Sequence, residues 1–125
     1  MGLEERFRGF QVHVNKAMHA FHDVVDSLAN DREAVDLPVA QAINAAKVAY
    51  QADVWSSCPP PLVQAGGVVC DQLEVVYAAV RSLMQSPHEA KDENSQAYKG
   101  WARSLADLEF AYQNASSMLY VVLNE

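Results

Sequence analysis

The amino-acid sequence predicts an all-α protein, a four-helix up-and-down antiparallel bundle, on three observations. Apolar residues recur at alternating steps of four and three along three long segments, the repeat of helices packed nearly parallel with a slight left-handed supercoil. Alternation by two, which a half-buried strand requires, is absent. Prolines and polar clusters interrupt the pattern at three places, and connections this short make sequential helices antiparallel neighbours. The 125 residues are 50% hydrophobic and hold five Gly and five Pro. They fit a single helical-bundle domain over 1–125 that needs no disulfide or metal staple. Disorder and fibrous repeats are excluded by the same composition.

Each element follows from its own residues. The first helix, near 3–29, carries the seam Leu3, Phe7, Phe10, Val14, Ala17, Phe21, Val24 and Leu28. The second, near 37–54, is Ala-rich with one narrow polar stripe, Gln41, Asn44, Lys47 and Gln51. Its composition predicts a helix covered on most of its circumference, with alanines that let neighbours come close. Asp36 is placed to cap it, with Pro38 in its first turn. The Pro59-Pro60-Pro61 run breaks the chain. A third helix follows near 60–85, preceded by Ser57 or Cys58, with the seam Leu62, Gly66, Val69, Leu73, Val76, Val80 and Leu83. Ser86-Pro87 ends it, and the charged stretch to Asn94 reads as a loop. The fourth helix, near 95–123, is capped by Ser95 or Asn94 and carries Tyr98, Trp101, Leu105, Leu108, Tyr112, Ala115, Leu119 and Val122.

Charge and cysteine content narrow the function classes. Sixteen acids against nine Lys and Arg give a net charge of −7, which argues against nucleic acid as the partner. No apolar run approaches the ~18 residues of a membrane span. The N-terminal MGLEERFRGF lacks the apolar core of a signal peptide. A cytoplasmic protein without membrane or cofactor is therefore the expectation. Cys58 and Cys70 stand 12 positions apart, roughly 18 Å along a helix and beyond disulfide reach, so both are expected reduced.

Candidate sites are few. His19, His22, Asp23 and Asp26 fall on an outer face of the first helix as two i,i+4 pairs, and imidazole with carboxylate suits zinc or a similar ion. Such a cluster on one helix reads foremost as a solvated face. The His22-Asp23 pair resembles the His-acid pair of histidine-kinase dimerisation helices over seven residues, without the Arg and Pro that follow there. Arg81 and His88 are similar in spacing to the Arg-His signature of HEPN ribonuclease-like helical domains, which would imply phosphate holding and proton transfer, although Pro87 lies between them. Gly66-Gly67 inside the third helix costs stability. The glycines imply either close approach by a bulky neighbour (Trp55, Trp101 or a Phe of the first helix) or a small-molecule pocket involving Gly66, Trp55, Trp101 and Tyr112.

The most informative residues are apolar ones off the seams. Phe110 is opposite the core repeat of the fourth helix. Tyr120 and Val121 are off it too, Val68 and Val75 flank the third seam, and Val12 faces outward on the first. Contiguous apolar surface marks an interface. The expected function is therefore a non-catalytic protein-protein interaction protein of inhibitor, immunity or adaptor type. It would act through an acidic and partly apolar surface on a protein partner, basic proteins included, and form a homodimer. The alternative is a small-molecule-binding bundle, and third comes a HEPN-like or metal-dependent enzyme.

Overall fold

The computed structural model describes residues 3–51 and 58–124. Four helices follow in order: α1 (Leu3–Ala29), α2 (Leu37–Gln51), α3 (Pro60–Gln85) and α4 (Gln96–Leu123). A short 3-10 helix, Pro87–Lys91, joins α3 to α4. No strand occurs among the described residues. The side chains that cross between helices set the topology. On α1 and α4, Gln11 meets Ser116 and Asn15 meets Tyr112, while Phe21 packs edge-on to Trp101. Rising numbers on one helix match falling numbers on the other, so the two are antiparallel. On α2 and α3, Tyr50 reaches Val63, Lys47 pairs with Glu74, and Asp36 receives the Tyr77 hydroxyl. The same reversal relates α1 to α2 and α3 to α4. The fold is an up-and-down antiparallel bundle.

The core lies where the repeat places it. Phe7, Phe10, Val14, Ala17, Phe21, Val24 and Leu28 are buried on α1, and every position of the α3 seam is buried. On α4 the seam is buried at Trp101, Leu108, Ala115 and Leu119. Tyr98, Leu105 and Tyr112 sit half-buried against it. Among the described residues no polar or charged residue is buried in this core, so its cohesion is apolar burial at about 25 cal/mol per Å².

Local chemistry sets the ends. Ser95 caps α4, its hydroxyl accepting from the Tyr98 backbone N–H at 3.1 Å and donating to the Glu89 carbonyl. The cap position of α3 is Pro59, with no side-chain cap. Cys58 is therefore one residue too early, and Ser57 lies outside the described residues. Pro60 occupies the first helical turn, where a missing N–H costs nothing. The stretch 86–94, expected as a loop, contains the 3-10 helix, because Ala90 is apolar and buries against the bundle.

The second helix departs from expectation. It is helical to Gln51, and 52–54 lie outside the described residues. It packs through Val39, Ala42, Ile43 and Ala46, but its outer face is open: Leu37 is 58% and Val48 61% exposed. Its alanines allow close packing on the inner side only, since α1 and α3 both lie on that side.

Candidate interaction surface

The histidines do not converge. His22 packs edge-on against Trp101 of α4, ring centroids 5.6 Å apart. His19 and Asp23 border the groove between α1 and α2 instead. His19, His22, Asp23 and Asp26 are exposed on α1, and among the described residues no three His, Cys, Asp or Glu side chains come together to hold a metal ion.

Arg81 lies over the Tyr77 ring, 5.7 Å from its centroid. His88 is exposed on the 3-10 helix beyond the α3 terminus. Among the described residues no hydrogen bond, ion pair or ring contact joins the two. The proposed ligand-pocket residues are likewise dispersed. Gly66 is buried in the α3 seam, whereas Trp101 packs with Phe21 near the opposite end of the bundle. Tyr112 receives a hydrogen bond from Asn15 on the α1–α4 flank, and Trp55 lies outside the described residues. The bulky neighbour at Gly67 is Tyr50, which the sequence reading did not single out. Its hydroxyl donates to the Val63 carbonyl at 2.9 Å, and a Cβ on Gly67 would stand 3.0 Å from that oxygen. Gly67 thus lets Tyr50 lie across the α3 backbone and tie down the end of α2.

The ionisable groups with perturbed protonation belong to packing. Burial pushes the Cys70 thiol up to about 11 against the opposing pull of Lys47. Burial raises Tyr50 and Tyr112. The hydrogen bond to Asp36, 2.9 Å long, is the main cause for Tyr77. Each shift favours the neutral, protonated form. Cys58 is half-buried and Cys70 buried, and no disulfide joins them.

The apolar residues off the seams are solvent-exposed, as their phase requires. Phe110 is 75% and Tyr120 70% exposed, and Val121, Val68, Val75 and Val12 are exposed as well. Leu108 and Ala111 beside Phe110 are buried, so Phe110 points straight outward from the bundle. Val121 borders a cleft of about 360 Å³ between α3 and α4, lined by Pro59, Pro61, Leu62, Ser117, Met118 and Val122. Tyr120 borders a second, of about 240 Å³ between α1 and α4.

The antiparallel register adds what no single helix shows. Residues 110–124 hold no charged side chain, and neither do residues 58–70. The α3–α4 cleft puts these two runs side by side. Exposed Phe110, Val121 and Val68 thus stand on two adjoining uncharged runs, bordered by exposed Asp107 and Glu109 on α4 and Asp71 on α3, in a molecule of net charge −7. Val75 lies on the same side of α3, two turns further along. Acids are densest at the end of the bundle away from these runs, although Glu4 and Glu5 of α1 lie near the end of α4. Segments 26–36 and 86–95 hold seven acids and two Lys or Arg, and the Lys91–Asp31 ion pair joins them. No helix among the described residues is long and apolar enough to cross a membrane. No protein-family model, curated protein or solved structure matches the chain.

Proposed function

We propose that this chain is a non-catalytic protein-interaction module that docks through the uncharged outer face of α4 and the adjoining half of α3. The observation that carries the reading is Phe110, three-quarters exposed at the start of fifteen residues without a charge. Burying one Phe is worth roughly 1.5–3 kcal/mol, and aromatic anchors concentrate binding energy at interface centres. Asp107 and Glu109 on α4, Asp71 on α3 and Glu4 in the Tyr120 cleft border this face, and most of the other described acids lie away from it. They keep the molecule soluble and repel unpaired approach elsewhere on the surface.

The test is retention of a binding protein on immobilised wild type, Phe110→Glu and His19→Glu. Retention by wild type and His19→Glu, lost with Phe110→Glu at unchanged helical circular dichroism, supports the reading. Retention that ignores Phe110 overturns it.

A further inference from the structure

We propose that the occupant of this face is a second copy of the chain, with the two α4 helices antiparallel about a two-fold axis at the level of Ala115. The proposal rests on the interaction reading above and names its partner. Charge selects the occupant. The uncharged runs themselves offer little to a basic protein, the acids Asp107, Glu109 and Asp71 standing at their border, and a second copy, also at −7, is repelled wherever acids would meet. The uncharged face is where two such chains touch without apposing like charges, and two-fold pairing lets one surface satisfy itself.

The spacing of the exposed residues sets the register. Phe110 lies ten and eleven positions before Tyr120 and Val121, about 15 Å along the helix. An antiparallel pairing centred at Ala115 therefore seats Phe110 of each copy on Tyr120 and Val121 of the other. The uncharged Gln113, Asn114 and Ser117, all exposed, lie near the axis, and Ser117 is small enough for close approach. Lys99 and Arg103, the cations of the outer α4 stripe, pass beyond the end of the partner's α4. A parallel pairing would instead stack Lys99 on Lys99 and Arg103 on Arg103, and like charges directly opposed cost energy. The face runs roughly 20 Å along α4 and is two helices wide, about 400 Å² per partner, the size of a weak or transient interface.

Sedimentation of the full chain at tens of micromolar should show a dimer, and Phe110→Glu should weaken association more than about tenfold with helical content unchanged. In a Cys58→Ser background, Ser117→Cys should cross-link to its own copy with a short bismaleimide. Arg103→Cys should not, because its two copies stand roughly 37 Å apart in this register. A wild-type monomer, a dimer indifferent to Phe110→Glu, or cross-linking of Arg103→Cys as readily as Ser117→Cys overturns the proposal. A monomer that still retains a different protein through Phe110 overturns self-pairing and leaves the interaction reading standing. A monomer whose retention ignores Phe110 overturns both.

Discussion

The two ends of the bundle share one interior and differ in how charge is distributed outside it. At one end, two loops rich in acids are tied together by the Lys91–Asp31 pair and by the Ser95 cap. At the other, α3 begins without a side-chain cap, and α4 finishes in four uncharged turns with aromatic and aliphatic side chains in water. The repeat of four and three runs through both ends alike, because it reports only which side of a helix faces its neighbours. Outer composition is free of that constraint. Seven acids at one end and none on the adjoining uncharged runs at the other cannot come from core packing. The difference separates what holds the fold from what the fold presents.

The largest expected effect tests whether the interior is indifferent to the ends. Phe10, beside Tyr50 at the uncharged end, and Phe21, beside Trp101 at the acidic end, are both fully buried. Each, replaced by Ala, should cost about 3–5 kcal/mol, as should Leu108→Ala at the lower limit of that range. Urea midpoints measure this. A several-fold difference between Phe10→Ala and Phe21→Ala would break the comparison, since it would make one end the weaker part of the core.

Alkaline pH acts on the uncharged half through Cys70. Its thiol rises from 9.0 to about 11 on folding, chiefly through burial. Between those values the folded chain holds a proton that the unfolded chain has lost. Stability is thus complete below pH 9 and declines as pH rises toward 11. Above pH 10, Tyr50, Tyr77 and Tyr112, also raised, pull the same way. Urea midpoints at pH 8 and pH 9.8 should differ in wild type, and the difference should shrink in Cys70→Ala. An unchanged slope in that variant would remove Cys70 as the cause.

The glycines give a smaller effect with a sharper contrast. A Cβ on Gly9 or Gly100 meets nothing within 4 Å, so Gly→Ala at either should stabilise by about 0.5–1 kcal/mol. At Gly67 the Tyr50 hydroxyl, 3.0 Å from the added carbon, must move, and the gain should vanish. In a Tyr50→Phe background the hydroxyl is gone, and Gly67→Ala should recover much of the gain, a coupling read by double-mutant cycle. Additivity across that cycle would show that Tyr50 does not set the need for glycine.

What the sequence disclosed follows from how strongly each residue is constrained. The bounds of α1 and α3 were legible because seven or eight seam residues keep one phase and prolines or polar clusters stop them. Phe110 was legible for the same reason, since a strict repeat marks departures from it. The openness of α2 was not, because alanine is small enough to be buried or exposed and gives little contrast between faces. Tyr50 over Gly67 was also hidden. It lies near the end of α2, and its contact depends on how that helix crosses α3. The uncharged face required topology, because 58–70 and 110–124 are adjacent only once α3 and α4 are antiparallel. Gln72 was equally unreadable: its Oε1 is buried with no hydrogen-bond partner among the described residues, which sequence period cannot reveal.

The smallest expected effect is on the free chain, and it separates the two roles of phenylalanine. Phe21→Ala empties a packed site, whereas Phe110 is 75% exposed and has little burial to lose within one copy. At protein concentrations low enough to keep the chain monomeric, Phe110→Ala should change stability by less than about 0.5 kcal/mol, the range of ordinary surface substitutions. His19→Ala, on an exposed and screened face, should do the same. The two should diverge as concentration rises. Self-association stabilises the folded form by mass action, so the wild-type and His19→Ala midpoints should climb with concentration while that of Phe110→Ala stays flat. Thermal melts across a hundredfold dilution, about 2.7 kcal/mol of chemical potential, measure that divergence. Parallel behaviour of all three proteins would mean that Phe110 is an isolated apolar residue in water, and the contrast between the two ends would then be one of composition alone.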